Sequence, residues 1–301
     1  MSEILVVGSV GYDTISTPKG KADGVLGGST NYFALSAALY TRVNVVGVVG
    51  NDYQTSDMDL LTKRGVDISG LEKVDGETFR WAGQYQGDMN EAETLSTHLN
   101  VLKDFKPKLP TTYKKSPIVF LANIDPVLQM EVLEQVDAPK LIGLDTMNYW
   151  INSKMPDLQA VLRKATVVTI NEKEAQKLTG EENTMKAARA IVALGPRAVV
   201  IKRGEYGFVL FSEDRFFIAP SFPVETVVDP TGAGDSFAGG FFGFLSKIKG
   251  TPTFRDLQEA CVHGTVIASF TVEDFGVRSL LALDATKVER RLSHYTRVFS
   301  L

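Results

Sequence analysis

Short, almost wholly apolar runs recur along the chain and are separated by stretches with helical periodicity. Runs of this length, bounded by polar residues or glycine, are typical of strands buried on both faces of a parallel sheet. Such runs lie at 4–7, 43–49, 118–122, 141–144, 167–170 and 198–201, and a hairpin is predicted at 208–211 and 216–219. Helices are predicted at 31–40, 56–64, 127–135, 154–163, 184–193, 234–247 and 254–270. Strands that alternate with helices predict an α/β fold, with helices covering both faces of a mostly parallel sheet.

Residues from about 71 to 101 follow a different pattern. In 78–85 polar and apolar residues alternate, which predicts half-exposed strands. Together with residues 11–25, this stretch is predicted to form a small β-strand lid on the main body. Because no internal repeat or low-complexity linker interrupts the chain, residues 1–301 are predicted to form a single domain that carries this lid.

Composition narrows the class of protein. The chain has 301 residues, 44% hydrophobic and 23% charged, which is ordinary for a globular protein. A net charge of −4 and a pI near 5.5 argue against a nucleic-acid partner. Cys261 is the single cysteine, so no intramolecular disulfide forms and a reducing compartment is expected. Neither a signal peptide nor an apolar run of about 18 residues is present, which predicts a cytoplasmic protein that does not span a membrane.

The segment from Asp229 to Asp235 is the strongest indication of chemistry. Gly232, Ala233 and Gly234 allow close backbone approach and lead directly into a predicted helix. Successive N–H groups at a helix start, backed by the positive end of the helix dipole, bind anions. This turn is therefore predicted to hold a phosphoryl group during its transfer. Asp235, at the same helix start, is predicted to accept the proton of an attacking hydroxyl as a general base.

The same segment also has a purely structural explanation, because aspartate caps helices and glycine marks turns. That explanation does not cover Gly239, Gly240 and Gly243, which lie inside the helix, where glycine costs about 1 kcal/mol relative to alanine. Small residues at these positions predict close packing against another element. The sequence contains no Gly-x-x-x-x-Gly-Lys-[Ser/Thr] motif, which argues against a P-loop kinase. The turn after the first strand, 8–11, lacks the third glycine of a dinucleotide-binding Rossmann site, which argues against that class as well.

The motif Asp-x-Thr-Gly-Ala-Gly-Asp at 229–235 resembles the C-terminal signature of the PfkB, or ribokinase-like, carbohydrate kinase family. Weaker motifs of the family occur in the expected order: Gly27-Gly28, Gly50-Asn-Asp52, Gly65-Val-Asp67, Asn171-x-x-Glu174 and Lys202-Arg-Gly-Glu-Tyr-Gly207. The resemblance spans residue 8 to about residue 276. It implies a ribokinase-like three-layer α/β/α sandwich with a small β-strand lid. It also implies an ATP-dependent kinase that uses Mg²⁺ and phosphorylates a sugar hydroxyl, with Asp235 as the catalytic base.

On the nucleotide side, the resemblance implies that Asn171 and Glu174 organise the phosphates and Mg²⁺, with Glu174 acting through water. The alternative from the residues alone is a capping box at the start of a helix, and the two roles are compatible. Further nucleotide-site residues implied by the family are Lys202, Gly204, Gly207, Thr231 and, near the base, His263. Asp229 and Thr231 match the positions at which the family often holds K⁺.

On the acceptor side, the family places a carboxylate that binds sugar hydroxyls where Asp13 stands. Gly27, Gly28, Tyr32 and Arg80 are the other predicted acceptor residues. Two positions depart from the family pattern, because Gly11 and Tyr32 stand where many members have asparagine. Asn31 lies one residue early, about 100° away around the helix, and does not simply replace the missing amide.

The identity of the acceptor remains open from the sequence. A sugar is favoured slightly over a nucleoside, whose base would need an aromatic slot, for which Tyr12, Tyr32, Phe79 and Trp81 are candidates. A phosphorylated sugar that meets Arg80 is a further alternative. A non-catalytic protein that senses a sugar or nucleotide is an alternative of another class, although a sensor has no need of a base such as Asp235. A homodimer formed through an exposed lid edge is also predicted.

Overall fold

The computed structural model describes residues 3–87 and 89–299, which fold into two sheets and their surrounding helices. The strands are β1 (Ile4–Val7), β2 (Gly11–Thr17), β3 (Gly20–Gly27), β4 (Val43–Val49), β5 (Val66–Lys73), β6 (Phe79–Tyr85), β7 (Ala92–His98), β8 (Ile118–Leu121), β9 (Leu141–Leu144), β10 (Val167–Asn171), β11 (Ala198–Lys202), β12 (Phe208–Ser212) and β13 (Arg215–Ala219). The helices are α1 (Ser29–Ala37), α2 (Thr55–Lys63), α3 (Pro126–Leu133), α4 (Asn148–Ser153), α5 (Met155–Leu162), α6 (Glu172–Thr179), α7 (Thr184–Ala193), α8 (Ala233–Leu245), α9 (Phe254–Thr271), α10 (Arg278–Leu281) and α11 (Ala285–Phe299).

The larger sheet has the order β13-β12-β11-β10-β9-β8-β1-β4-β5 and is parallel except at β12 and β13. Side chains of a strand alternate between its two faces, and β1 shows this directly. Ile4 and Val6 belong to the core on the side of α1, α8 and α9, whereas Leu5 and Val7 belong to the core on the side of α3, α5, α6 and α7. The predicted three-layer sandwich with a mostly parallel sheet is confirmed.

The smaller sheet has the order β3-β2-β6-β7 and forms the lid. Its strands come from 11–27 and 79–98, while residues 71–73 are the end of β5 in the larger sheet. The lid boundaries and the single domain stay predictions. The predicted range 1–301 also includes Met1, Ser2, Asp88, Ser300 and Leu301, which lie outside the described residues.

Close packing of α8 explains the glycines inside it. A Cβ on Gly239 would lie 2.5 Å from the carbonyl oxygen of Phe33 in α1, and one on Gly240 would lie 3.0 Å from the carbonyl oxygen of His263 in α9. A Cβ on Gly243 would lie 2.6 Å from the ring of Tyr40. The predicted close packing is confirmed, and it fixes the start of α8 relative to the strand ends.

Each strand and helix expected from hydrophobic periodicity has a counterpart in the structure, and the hairpin is confirmed as β12 and β13. The helices α4, α10 and α11 were not predicted. In the part of the chain that the structure describes, no helix is long and apolar enough to cross a lipid bilayer.

Candidate active site

The predicted anion-binding turn lies at the start of α8. Gly232 precedes the helix with φ 73°, a left-handed conformation that favours glycine. The N–H of Ala233 donates to the carbonyl oxygen of Pro230 (3.2 Å), so this amide is already engaged. The N–H groups of Gly234 and Asp235 belong to the first helical turn, where no intrahelical acceptor is available. These two amides are therefore free of intrahelical partners, and the role of the turn from Gly232 to Gly234 in binding an anion stays a prediction.

Lys202 lies directly over this turn. Its Nζ atom is 3.1 Å from Oδ2 of Asp145, and a Cβ on Gly234 would lie 2.9 Å from that Nζ atom. Burial alone would lower the pKa of Lys202, but the charges of Asp145 and Glu174 outweigh it and raise the pKa. The ammonium group is therefore charged at neutral pH and lies against the anion-binding turn.

Asp235 lies in the same first turn, and the pKa of its carboxyl is well above the usual range. Burial in the cleft is the main cause, the charge of Asp145 adds to it, and the charge of Lys202 opposes it. A carboxylate whose pKa is raised is a stronger base than an exposed aspartate, which suits proton abstraction from a hydroxyl.

Asn171 and Glu174 form the capping box that the sequence offered as an alternative. The N–H of Asn171 donates to Oε2 of Glu174 (3.0 Å), and the N–H of Glu174 donates to Oδ1 of Asn171 (2.8 Å). Burial, followed by the charge of Asp145, raises the pKa of Glu174 to about 7. In addition to its capping hydrogen bond, the carboxylate of Glu174 faces Asp145 and Lys202.

The oxygen donors of this cluster fit Mg²⁺. Within the described ranges, 3–87 and 89–299, no three His, Cys, Asp or Glu side chains form a cage that could hold a metal on their own. Mg²⁺ usually keeps several waters and binds through one or two carboxylates together with substrate phosphates. Glu174 and Asp145, two neighbouring acidic side chains beside the anion-binding turn, provide such a donor set.

Asp13 faces the site from the lid. Its carboxylate accepts a hydrogen bond from the N–H of Gly28 at the start of α1, and Gly27 leaves no room for a Cβ beside it. Gly28 has φ 84°, which glycine adopts without strain. Burial raises the pKa of Asp13 to about 7, and the charge of Asp229 contributes. The two predicted glycines thus position the predicted acceptor carboxylate.

Tyr32 connects the acceptor side to the anion-binding turn. Its ring lies flat against Gly232, where a Cβ would collide with three ring carbons. Tyr32 is 1% exposed, and its hydroxyl has no hydrogen-bond partner among the described residues. Burial is the main reason that its pKa is raised, and the charges of Asp13 and Asp229 add to it. The hydroxyl remains a neutral donor that faces carboxylates.

The lid contacts the body on both sides of the site. The hydroxyl of Tyr85, at the end of β6, is 3.2 Å from Oγ1 of Thr231. Glu91, near the tip of the β6–β7 hairpin, forms an ion pair with Lys173 of α6. Beside these contacts lies a cleft of about 590 Å³. Its lining includes the predicted nucleotide-site residues Asn171, Lys202 and Gly204, together with Gln84, Gln86, Asn90, Glu91, Ala92, Glu93, Glu172, Lys173, Arg203 and Tyr206.

Asp229 is fully buried and links two loops. One carboxylate oxygen accepts from the N–H of Thr231 (2.8 Å) and the other from the N–H of Gly276 (2.9 Å). Burial raises its pKa, although these hydrogen bonds oppose the shift. A buried carboxylate that remains costly to ionise is a suitable neighbour for a monovalent cation.

Arg80 and Tyr12 lie on the other face of the lid sheet from Asp13. Arg80 is paired with Asp52 (2.5 Å) and lies over the ring of Tyr12, whose hydroxyl donates to Asp57 (2.7 Å). The structure therefore brings Arg80 to Asp52 instead of to the other predicted acceptor residues.

His263 is also separate from the phosphate cluster. Its Nδ1 atom is 2.9 Å from the hydroxyl of Tyr40, and its ring stacks on Phe244, about two and a half turns beyond Asp235 along α8. Burial lowers its pKa to about 4. Gly204 and Gly207 form the turn after β11, where both have positive φ and Gly207 accepts from the N–H of Arg203 (2.8 Å).

Sequence reasoning missed Asp145, Tyr85 and the residues of the lid tip. Asp145 directly follows β9, and ligands of parallel α/β sheets bind at the carboxyl ends of the strands. The position of Asp145 at the end of a parallel strand could therefore have marked it as a site residue. Tyr85 and Thr231 are far apart in the chain, so no pattern of neighbouring residues predicts their contact.

Comparisons with known proteins agree with this geometry. Residues 1–283 match the pfkB family carbohydrate kinase. The cytidine kinase of Thermococcus kodakarensis is 30% identical over 253 residues, which cover 82% of this chain and 90% of that protein. The ribokinase of Bacillus subtilis is 29% identical over 297 residues, covering 92% and 95%. A solved structure of a putative ribokinase II from E. coli, in complex with ATP and Mg²⁺, has the same fold, with a TM-score of 0.81, 17% identity and coverage of 98% and 100%.

The fold and the site together define a phosphotransferase with an alcohol group as acceptor. The match over residues 1–283 identifies it more closely, and the chain belongs to the pfkB family of carbohydrate kinases. It is an ATP-dependent kinase whose acceptor is a sugar or a nucleoside.

Proposed function

We propose that ATP lies in the cleft between the lid tip and residues 171–207, with its γ-phosphate at the first turn of α8. The acceptor lies between Asp13 and Asp235, beneath the lid. One observation carries this arrangement. Three groups lie together beside Tyr32, between the proposed ATP cleft and the proposed acceptor site: the carboxylate of Asp235, the ammonium of Lys202 and the free amides of the first turn of α8.

The reaction then proceeds by in-line transfer. Asp235 accepts the proton of the acceptor hydroxyl, the acceptor oxygen bonds to the γ-phosphorus, and the bond from that phosphorus to the β-phosphate oxygen breaks to release ADP. The amides of Gly234 and Asp235 and the ammonium of Lys202 stabilise the charge on the transferring group. Asp13 holds the acceptor by its hydroxyls.

Glu174, through water, and Asp145 would hold Mg²⁺. When bound, the ion neutralises phosphate charge during transfer. K⁺ would lie near Asp229 and the carbonyl group of Thr231, behind the anion-binding turn. Pro230 restricts φ in this loop, which pre-forms the turn and limits how much the ion is needed.

Two classes of acceptor, a sugar and a nucleoside, are compatible with the same phosphoryl-transfer reaction. A sugar suits the hydroxyl-binding carboxylate Asp13 and the family as a whole. A nucleoside suits the aromatic side chains of the lid and the name of the cytidine kinase relative. A non-catalytic sensor of a sugar or nucleotide is the alternative function of another class, and the intact Asp235 argues against it.

An acceptor panel tests the proposal. We expect ADP formation that depends on Mg²⁺, ATP and an added acceptor, measured with ribose, fructose, cytidine and adenosine. Binding of ATP and acceptor without ADP formation would favour the sensor. A cytoplasmic location, the absence of nucleic-acid and membrane partners, and a homodimer through the exposed edge strand β7 stay part of the proposal.

A further inference from the structure

The lid carries a flat aromatic surface beside the acceptor carboxylate. Asp13 of β2 is paired with Trp81 of the neighbouring parallel strand β6, so the two side chains lie on one face of the sheet, on strands about 4.8 Å apart. Tyr85 lies on the same face, because it is four residues further along β6, and its hydroxyl reaches Thr231 of the body. This face of the lid therefore looks into the acceptor compartment.

Trp81 is held flat on that face. A Cβ on Gly83 would collide with the six-membered ring of the indole, so the ring lies along the strand over Gly83. Its Nε1 atom is 3.3 Å from Oγ1 of Thr94 on β7, which faces the same way as Gly83 because the two residues are paired. The indole thus has one face against the sheet and the other towards the compartment, and its polar atom already has a partner.

The charges around the compartment select against a phosphorylated acceptor. Asp13, Asp229 and Asp235 all act on the buried hydroxyl of Tyr32. Arg80, the cation that a phosphorylated sugar would need, lies on the opposite face of the lid and is paired with Asp52. A phosphate on the acceptor would meet carboxylates, and the acceptor is therefore a molecule without a phosphate.

We propose, on the basis of the function given above, that this acceptor is a nucleoside whose ribose is held by Asp13 and whose base stacks on Trp81. A sugar ring held by Asp13 lies about one strand spacing from the indole, so a flat substituent on the sugar is needed to cover the ring. A nucleobase provides such a substituent, and stacking of a base on an aromatic side chain strengthens binding by roughly 5- to 150-fold.

A binding experiment tests the stacking without turnover. The chain has two tryptophans, so Trp150→Phe leaves Trp81 as the only indole. We expect cytidine and adenosine to quench the fluorescence of this variant in a saturable manner, and methyl β-D-ribofuranoside, which lacks a base, to leave it unchanged. Saturable nucleoside binding by calorimetry without quenching would overturn the proposal, as would equal quenching by the methyl riboside or no nucleoside binding at all.

Turnover provides the second test. In the wild type, kcat/KM for cytidine or adenosine should exceed that for the methyl riboside by about tenfold or more. In Trp81→Ala this ratio should fall towards one, with kcat/KM for the methyl riboside changed by less than about threefold. Tyr149→Ala, which removes an aromatic ring that is 57% exposed outside the lid, is the matched control and should keep the wild-type ratio.

Two results of this test would overturn the proposal: a wild-type ratio near one, or an equal loss for both acceptors in Trp81→Ala. Trp81→Leu replaces the alanine variant if that protein does not fold. Failure of the proposed function is distinguishable, because no acceptor would then yield ADP, while the fluorescence experiment would still decide whether a base stacks on Trp81.

Discussion

The Nζ atom of Lys202 lies 3.1 Å from Oδ2 of Asp145, at the ends of two strands that are separated in the sheet only by β10. Their side chains are 16% and 7% exposed, so solvent screens the pair weakly. The pair fixes a positive charge over the anion-binding turn before any nucleotide arrives. Such preorganisation is what lets a charged group stabilise a transition state without a cost of reorganisation.

Replacement of Lys202 tests this role. We expect Lys202→Met to lower kcat by about 10²- to 10³-fold, because one donor to the transferring group is lost. We expect Lys202→Arg to retain part of the activity, since it keeps the charge with a different shape. Steady-state kinetics measures both, and Lys177→Met on the exposed side of α6 is the control. A Lys202→Met enzyme with near wild-type kcat would remove this group from catalysis.

Asp235→Asn should keep ATP binding nearly intact and lower kcat by at least about 10²-fold, because loss of a general base typically costs 10²- to 10⁴-fold. Calorimetry with ATP and single-turnover kinetics separate binding from chemistry. Near-full turnover at neutral pH would show that another group accepts the proton.

Tyr32→Phe should separate function from stability. The hydroxyl of Tyr32 has no partner among the described residues, so its loss breaks no hydrogen bond and the free energy of unfolding should not fall. In the proposed arrangement the hydroxyl donates to an acceptor oxygen, and KM for the acceptor should rise about fivefold, since a hydrogen bond is worth about 1 kcal/mol.

Tyr40→Phe is the matched control for that substitution. It removes the hydroxyl that lies 2.9 Å from Nδ1 of His263 and should lower the free energy of unfolding by about 1 kcal/mol, with KM unchanged. If Tyr32→Phe behaves like this control, the role of Tyr32 is packing alone.

K⁺ should activate the enzyme modestly. The fully buried Asp229 carboxylate lies beside the anion-binding turn, and a nearby cation would offset its burial. Rates are compared in K⁺ and in tetramethylammonium at equal ionic strength. Identical rates would mean that the two backbone hydrogen bonds to Asp229 are sufficient to hold the loop.

Asp67, far from the site in β5, should contribute pH-dependent stability. Partial burial opposes its ionisation, but hydrogen bonds from Ser69 and Tyr113 and the Arg42 guanidinium outweigh burial and hold the pKa of Asp67 well below its usual range. Because the pKa is lower in the folded state, the contribution is complete above the ordinary aspartate pKa of about 4 and is lost as pH falls below it.

Asp67→Asn should therefore be less stable than the wild type at pH 7, and the difference should shrink below about pH 4. Urea unfolding at several pH values measures this, with activity at pH 7 as a control that should not change. A stability difference independent of pH would contradict the assignment.

The parts of the site that were predicted from the sequence depend on interactions between residues close together in the chain. The left-handed Gly232, the start of α8 and the capping box of Asn171 and Glu174 each depend on residues within a few positions of one another. Such features are encoded by neighbouring residues, and the sequence is sufficient to place them.

Contacts between residues that are far apart in the chain could not be predicted from local sequence patterns. Alternation along β6 separates Arg80 from Trp81, but it does not determine which face of the strand meets Asp52 and which meets the acceptor compartment. The pairing of β2 with β6 decides this. Likewise, Asp145 and Lys202 are 57 residues apart, and only the order of β9, β10 and β11 brings them together.

The two hairpins of the lid have an evolutionary consequence. They lie before α1 and between β5 and β8, whereas Asp145, Asn171, Lys202 and Asp235 all come later in the chain. Under the proposed function, mutations or length changes in the hairpins would alter the acceptor site while these four residues stay in place. Relatives named for cytidine and for ribose are the outcome expected of such separate inheritance.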